Sequence, residues 1–186
     1  MVPTSDEDLL NAARGGDLSG FNQLVERYQT QVFNLCLRMV GDPQQAEDAT
    51  QETFFAAYRA IGGYRGGSFR GFLMRIAANQ CYDALRSRRR RPVEPLDAET
   101  PLADTDRGPE AAAISAETMA AIEQALLQLP AEQRLCVLLV DVHGLDYQEA
   151  GQAMKANLGT VKSRLSRARA SLRELLPADM RLNRGE

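Results

Sequence analysis

Phe21, Leu24, Val25, Tyr28, Val32, Leu35, Cys36 and Met39 recur at steps of three and four, which places them on one stripe of a long helix and makes that stripe core. Gly41 predicts where the helix ends. Asp42-Pro43 predicts a restart, the aspartate as N-cap and the proline at the first helical position, where its missing N–H has no intrahelical partner to lose. The next helix runs to about Ala60, with Ala46, Ala49, Thr53, Phe54 and Ala57 facing inward. Ile61 to Gly67, rich in glycine, reads as a loop. Ser68 is the expected N-cap of a further helix whose apolar side is Phe69, Phe72, Leu73, Ile76, Ala77, Cys81 and Leu85, and which Pro92 stops.

Beyond Pro92 the period vanishes. Pro92, Pro95, Pro101 and Pro109 punctuate a stretch in which Glu94, Asp97, Glu99, Asp104, Asp106 and Glu110 face only Arg107, so an extended acidic linker is expected. Its acidity either keeps it extended and soluble or lets it follow a basic channel. The period returns with Met119, Ile122, Leu126 and Leu129, then with Leu135, Leu138, Leu139 and Val142 before Gly144. Asp146 and Glu149 have the reciprocal spacing of a capping box, opening a short helix through Met154. After a turn at Lys155 to Asn157, a last helix runs from about Leu158 to Leu176. Short helix, tight turn and longer basic helix make a helix-turn-helix. The expected fold is all-α: two small helical domains, 1–91 and 115–186, joined by an acidic linker at 92–114, the second a helix-turn-helix domain.

The last helix carries the sharpest chemical signal. Lys162, Arg164, Arg167, Arg169 and Arg173 crowd it, while Val161, Leu165, Ala168 and Leu172 keep an apolar face for packing. A basic face of this kind enters a major groove, where Arg and Lys donate to guanine O6 and N7. Lys162, Ser163, Ser166 and Arg167 are the expected base readers; Arg164 and Arg169 serve either bases or phosphates. A second basic cluster, Arg86 and Arg88 to Arg91, ends the helix that starts at Ser68, and a phosphate backbone is its natural counter-ion. Tyr64, Arg65, Ser68 and Phe69 precede it and Asn79 and Gln80 lie along it, an aromatic and amide set suited to an unstacked base. The helix after Pro43 is the opposite in sign: Asp48, Gln51, Glu52 and Phe55 share a face that repels DNA, being either a solvated surface or a dock for a basic protein.

Net charge is -3 and the sequence pI about 5.4, unlike an autonomous DNA-binding domain, so the distribution of charge matters more than its sum. The acidic start MVPTSDEDLL has no signal-peptide character and no apolar run reaches membrane-span length, so a cytoplasmic protein is expected. The three cysteines, Cys36, Cys81 and Cys136, sit among apolar neighbours and read as buried thiols. The single histidine, His143, beside the turn at Gly144, reads as a capping or surface group. Neither a metal site, a cofactor loop nor a catalytic set can be assembled, and an enzyme is not expected.

These residues together resemble bacterial sigma factors of the extracytoplasmic-function class. Asp48-Ala-Thr-Gln-Glu-Thr-Phe54, after Ala46-Glu47, is similar to the family's core-polymerase docking motif. Phe69-Arg-Gly-Phe-Leu-Met-Arg-Ile-Ala-Ala-Asn79, with Asp83, Leu85 and Arg86, resembles the segment that melts and reads the minus-ten element. Gly159-Thr-Val-Lys-Ser-Arg-Leu-Ser-Arg-Ala-Arg169 resembles the minus-thirty-five recognition helix. The resemblance implies a region 2 domain at 1–91 and a region 4 domain at 115–186. It implies docking on the beta-prime clamp helices through Asp48, Gln51, Glu52 and Phe55, and a further contact with the beta flap. Double-stranded DNA is to be met by Thr160, Lys162, Ser163, Arg164, Ser166, Arg167 and Arg169, and melted DNA by Tyr64, Arg65, Ser68, Phe69, Asn79, Arg86, Arg88, Arg89 and Arg90. An anti-sigma protein is a further expected partner. Phe72 stands where the family commonly has Trp, Lys155 replaces the usual turn glycine, and Asn157 replaces a frequent proline. The competing readings are a free-standing helix-turn-helix repressor, which footprints a palindrome without polymerase, and a protein adaptor, which binds no promoter.

Overall fold

The computed structural model describes residues 5–90 and 109–177, with the side chains of 109–116 excepted. Among these residues there is no strand. The chain opens with a helix the hydrophobic pattern does not announce, α1 (Asp6–Arg14), nucleated by a capping box in which Ser5 and Asp8 satisfy each other's backbone N–H. Leu9, Leu10 and Ala13 bury its inner face. So short a helix offers too few turns for a periodic signal.

α2 (Leu18–Val40) is capped by Asp17 and ends at Gly41, which takes the left-handed conformation (φ 73°). Gly20 lets α1 lie directly on it, since a Cβ there would fall 2.8 Å from the Leu9 carbonyl oxygen. α3 (Pro43–Ala60) starts at the Asp42 cap and buries Ala46, Ala49, Thr53, Phe54 and Ala57; the buried Thr53 hydroxyl donates to the Ala49 carbonyl at 2.7 Å. After a 3-10 turn at Ile61–Gly63, α4 (Phe69–Arg90) begins where the Ser68 hydroxyl accepts from Gly71 N–H at 3.0 Å.

α5 (Pro109–Gln128) begins inside the stretch expected to be linker, with Pro109 in the position where proline fits a helix start and three alanines shortly after it. Pro92 and most of the acidic stretch lie outside the described residues. α6 (Ala131–Val137) runs on into a π-helical turn, Leu138–Val142, in which His143 N–H reaches back to the Leu138 carbonyl at 2.9 Å. The extra residue shifts the register, so Val142 leaves the apolar stripe on which the period placed it and is 47% exposed. α7 (Tyr147–Met154) carries the expected capping box between Asp146 and Glu149. Lys155 turns the chain in the left-handed region (φ 51°, ψ 42°), and Asn157 caps α8 (Leu158–Leu175) by accepting from Thr160 N–H at 2.8 Å. The tight helix-turn-helix corner also needs Gly151, where a Cβ would meet the Ala156 carbonyl oxygen at 2.8 Å.

α1–α4 form one bundle and α5–α8 another, and buried residues of both form a continuous apolar core. Two seams join them: α7 lies along α4, and α2 receives α5 and α6. Arg134, 8% exposed, closes the second seam, donating to the carbonyls of Met39 in α2 and of Leu127 (2.6 Å) and Leu129 (3.1 Å) at the end of α5. Arg70 reaches the Gly144 carbonyl at 3.4 Å across the first. Cys36, Cys81 and Cys136 are buried free thiols, and no cluster of metal-ligating side chains occurs among the described residues.

Candidate polymerase and nucleic-acid interfaces

Asp48, Gln51, Glu52 and Phe55 all emerge on the outer side of α3, opposite its buried alanines. Phe55 is 62% exposed, a large ring with no intramolecular reason to be there. A groove of about 510 Å³ runs beside this face, lined by Asp48, Glu52, Gln80, Asp83 and Arg88. Gln80 therefore belongs to the acidic side and not with Asn79. Arg88 is likewise turned from the loop at Tyr64: it lines this groove, and its guanidinium donates to the Val40 carbonyl at 3.3 Å.

Tyr64, Arg65 and Ser68 border a cavity of about 580 Å³ together with Arg59, Phe72 and Arg75. Phe69 does not present a free ring: at 3% exposure it lies beneath, stacked on Phe72 at 5.8 Å and edge-on to Tyr64 at 5.9 Å. It supports the platform; Tyr64 and Phe72 form it. Asn79 lies outside this cavity, one turn beyond Arg75, to whose carbonyl its amide donates at 3.0 Å. Phe72, Arg75, Asn79, Tyr82, Arg86 and Arg89 nevertheless recur at helical steps, so one stripe of α4 runs from the cavity to the arginine end. Arg86 pairs with Asp83 on its own helix, and Arg89 and Arg90 are exposed.

On α8, Val161, Leu165 and Ala168 are buried while Lys162, Ser166 and Arg167 point outward and Ser163 is half-buried. Arg164 and Arg169 are already engaged: Arg164 pairs with Glu132, and Arg169 makes a bidentate contact with Asp141, at 3.0 and 2.5 Å. The two pairs tie α8 to α6 and its π turn. Thr160 is half-buried at the start of α8.

The α4 stripe and the α8 face meet. Tyr82, Leu85, Arg86 and Arg89 of α4 and Thr160, Ser163, Arg164 and Arg167 of α8 line one cleft of about 850 Å³, together with Glu132 and Arg134 of α6. Burial pushes the Tyr82 hydroxyl up to about 12, so it stays a proton donor there. At the other end of the stripe, Glu149 and Gln152 of α7 reach the cavity beside Phe72. His143, read from sequence as a capping or surface group, sits at this seam with Nε2 buried and without a hydrogen-bond partner; burial, then Arg38 and Arg70, hold it down at about 4.

Two family models divide the chain along these lines. Sigma-70 region 2 matches residues 24–91, covering α3, the loop and α4, and sigma-70 region 4 matches residues 119–172, covering the helix-turn-helix. The RNA polymerase sigma-H factor of Pseudomonas aeruginosa is 36% identical over 186 residues, with 95% of this chain and 96% of that one covered. The ECF sigma factor SigM of Mycobacterium tuberculosis is 36% identical, covering 92% and 85%, and SigW of Bacillus subtilis 33%, covering 90% and 94%.

This chain is an ECF RNA polymerase sigma factor.

As such it is a transcription initiation factor that directs RNA polymerase to promoters. Two solved structures share the fold at a TM-score of 0.70 and 26% identity. One is CnrH in complex with the cytosolic domain of CnrY, covering 94% of this sigma factor and 98% of that chain. The other is RpoE of Bartonella quintana in complex with the anti-sigma factor NepR, covering 86% and 98%. No described helix of the sigma factor is long and apolar enough to cross a membrane.

Several residues that shape the interfaces escape a reading by pattern. Arg75 was within reach, standing three residues after Phe72 and four before Asn79. Arg14, Arg59 and Arg134 were not, because each acts across a gap in sequence that periodicity does not bridge.

Proposed function

We propose that the acidic face of α3, Asp48, Gln51, Glu52 and Phe55, docks this sigma factor on the clamp helices of core polymerase, while the α4 stripe and α8 carry the promoter. The observation that carries this is the division of α4 between two surfaces: the groove beside the acidic face of α3 meets it at Gln80, Ala84 and Ser87, while the stripe of Phe72, Arg75, Asn79, Arg86 and Arg89 lies round the helix from them, with the Asp83–Arg86 pair on the border. One side meets protein and the other nucleic acid. Tyr64 and Phe72, with Arg65 and Ser68, receive an extruded base of the minus-ten element, and Phe69 backs them. Arg86, Arg89 and Arg90 follow the strand's phosphates with Asn79 between. Lys162, Ser163, Ser166 and Arg167 read the minus-thirty-five element in the major groove, and Thr160, Arg164 and Arg169 lie towards its phosphates.

Both DNA surfaces line one cleft, whereas the two elements lie about two helical turns apart, roughly 70 Å. The domains therefore part when the promoter is bound. The stretch between Arg90 and Pro109 reaches about 60 Å at full extension, enough for most of that separation. The likeness to RpoE, captured with the anti-sigma factor NepR, and to CnrH, captured with the cytosolic domain of CnrY, supports an anti-sigma partner, and the match to sigma-70 region 4 supports a contact of the second domain with the beta flap. The protein works in the cytoplasm as a subunit, performing no chemistry of its own. Charge reversal at Asp48→Lys with Glu52→Lys tests the docking: capture of core polymerase should be lost with helicity by circular dichroism unchanged, and undiminished capture refutes the assignment.

A further inference from the structure

The loop that borders the base-receiving cavity has little of its own to hold it in place. Gly62, Gly63, Gly66 and Gly67 carry no side chain, and a Cβ on any of them would meet nothing within 4 Å. Such a segment loses more conformational freedom on ordering than any other composition. Within the loop, the Tyr64 hydroxyl donates to the Gly67 carbonyl at 2.7 Å. From outside the loop, the Tyr64 ring rests against Phe69 and Phe72 of α4, while the backbone is held from α1. Arg14, its last residue, donates through Nε to the Ile61 carbonyl at 3.3 Å and through Nη2 to the Tyr64 carbonyl, so the two arms of one guanidinium grip both ends of the 3-10 turn. Nη1 is steadied by Asn11 Oδ1 at 3.3 Å, and the guanidinium carbon lies 5.5 Å from the centre of the Tyr64 ring.

We infer that Arg14 is a positioning residue for promoter melting: it fixes the Tyr64 loop in the shape that accepts an extruded base, without touching DNA itself. The inference rests on the proposed role of that loop in base capture. The physical case is pre-organisation. A loop already held in its bound shape loses less freedom when the base arrives, and the difference appears as tighter capture. A planar fork is needed to span two carbonyls, so lysine, a single point donor, replaces only part of the grip. Arg14 is exposed at the end of a helix whose anchoring comes from Leu9, Leu10 and Ala13, so its removal leaves the fold in place.

The test uses holoenzyme reconstituted with wild-type, Arg14→Ala and Arg14→Lys chains on a promoter fragment from which the wild type initiates. Strand opening is followed by permanganate reactivity of unpaired thymines, on the duplex and on the same fragment carrying a pre-melted minus-ten bubble. Arg14→Ala should reduce opening of the duplex by roughly tenfold, the loss expected for charge-assisted hydrogen bonds, and Arg14→Lys should fall between. Binding to core polymerase, protection of the minus-thirty-five element and thermal unfolding should match the wild type. Equal opening by wild type and Arg14→Ala overturns the inference, as does a uniform loss of core binding and upstream protection, which marks a general structural role. A wild-type holoenzyme that protects the upstream element yet never opens a duplex instead removes the base-capture reading itself.

Discussion

Arg134 of α6 donates a hydrogen bond to the Met39 carbonyl of α2, joining two residues that belong to different domains and lie 95 positions apart. The same guanidinium closes the carbonyls of Leu127 and Leu129, so one buried cation gathers the end of α5, its own helix α6 and the end of α2. Desolvation lowers its pKa, but an arginine remains charged, and its burial is offset by those three acceptors. Arg134→Met should loosen the seam by about 1.5–3 kcal/mol, the usual worth of hydrogen bonds to a charged group. Energy transfer between a dye on each domain should fall in the variant, and unchanged transfer would show that the seam is held by apolar packing alone.

Acid should act on the other seam through His143. Its pKa is held at about 4 in the packed protein against an ordinary 6.5, so the opened or unfolded chain binds the proton more readily. Stability is therefore full above about pH 7 and falls as pH drops from 6.5 towards 4, by at most about 1.4 kcal/mol per unit. Arg38 and Arg70 face the imidazole and oppose its protonation further. Urea unfolding between pH 7 and pH 5 should show this slope, and His143→Gln should flatten it relative to the wild type. Parallel slopes would contradict the assignment.

Lys155 occupies a left-handed conformation that costs a side chain about 1 kcal/mol or more. Lys155→Gly should raise Tm by about 2 °C, reduced from the full amount by the greater freedom of glycine in the unfolded chain. A calorimetric scan decides it, and a lowered Tm would mean that the turn is not strained.

Arg167 is an exposed arginine of α8 that pairs with neither Glu132 nor Asp141, and its contact with Ser163 Oγ, at 3.4 Å, is long. Arg167→Ala should weaken protection of the minus-thirty-five element by about tenfold or more if it reads a guanine. Arg164→Ala should instead cost stability as well as binding, because its removal leaves Glu132 without its partner. An unaltered footprint for Arg167→Ala at low salt counts against the recognition role.

The helices after α1, their aspartate and asparagine caps and the glycine stop of α2 were legible in the sequence because each depends on neighbours three or four residues away. Asp42, Asp146, Asn157 and Gly41 all act within one turn of the helix they delimit. What escaped were features set by packing at a distance. α1 finds its place only because Gly20 admits its backbone, the π turn at Leu138–Val142 displaces Val142 from a stripe that period alone assigns to the core, and His143 faces Arg38 and Arg70 of the other domain. The interfaces were legible in the same measure. Residue type put Phe69, Arg88 and Asn79 of α4 forward as candidates for contact with melted DNA, but only their surroundings reveal that Phe69 is a support, that Arg88 faces the acidic groove and that Asn79 stands a turn away from the cavity.

Run-off transcription with purified core polymerase and a pool of promoter fragments, followed by sequencing of the transcript starts, tests the whole division of labour at once. The wild-type chain should direct starts from a set of fragments sharing one upstream and one downstream element, and the chain carrying Asp48→Lys and Glu52→Lys should direct none. Starts that are the same with and without the wild-type chain, or that persist with the charge-reversed one, would contradict the account.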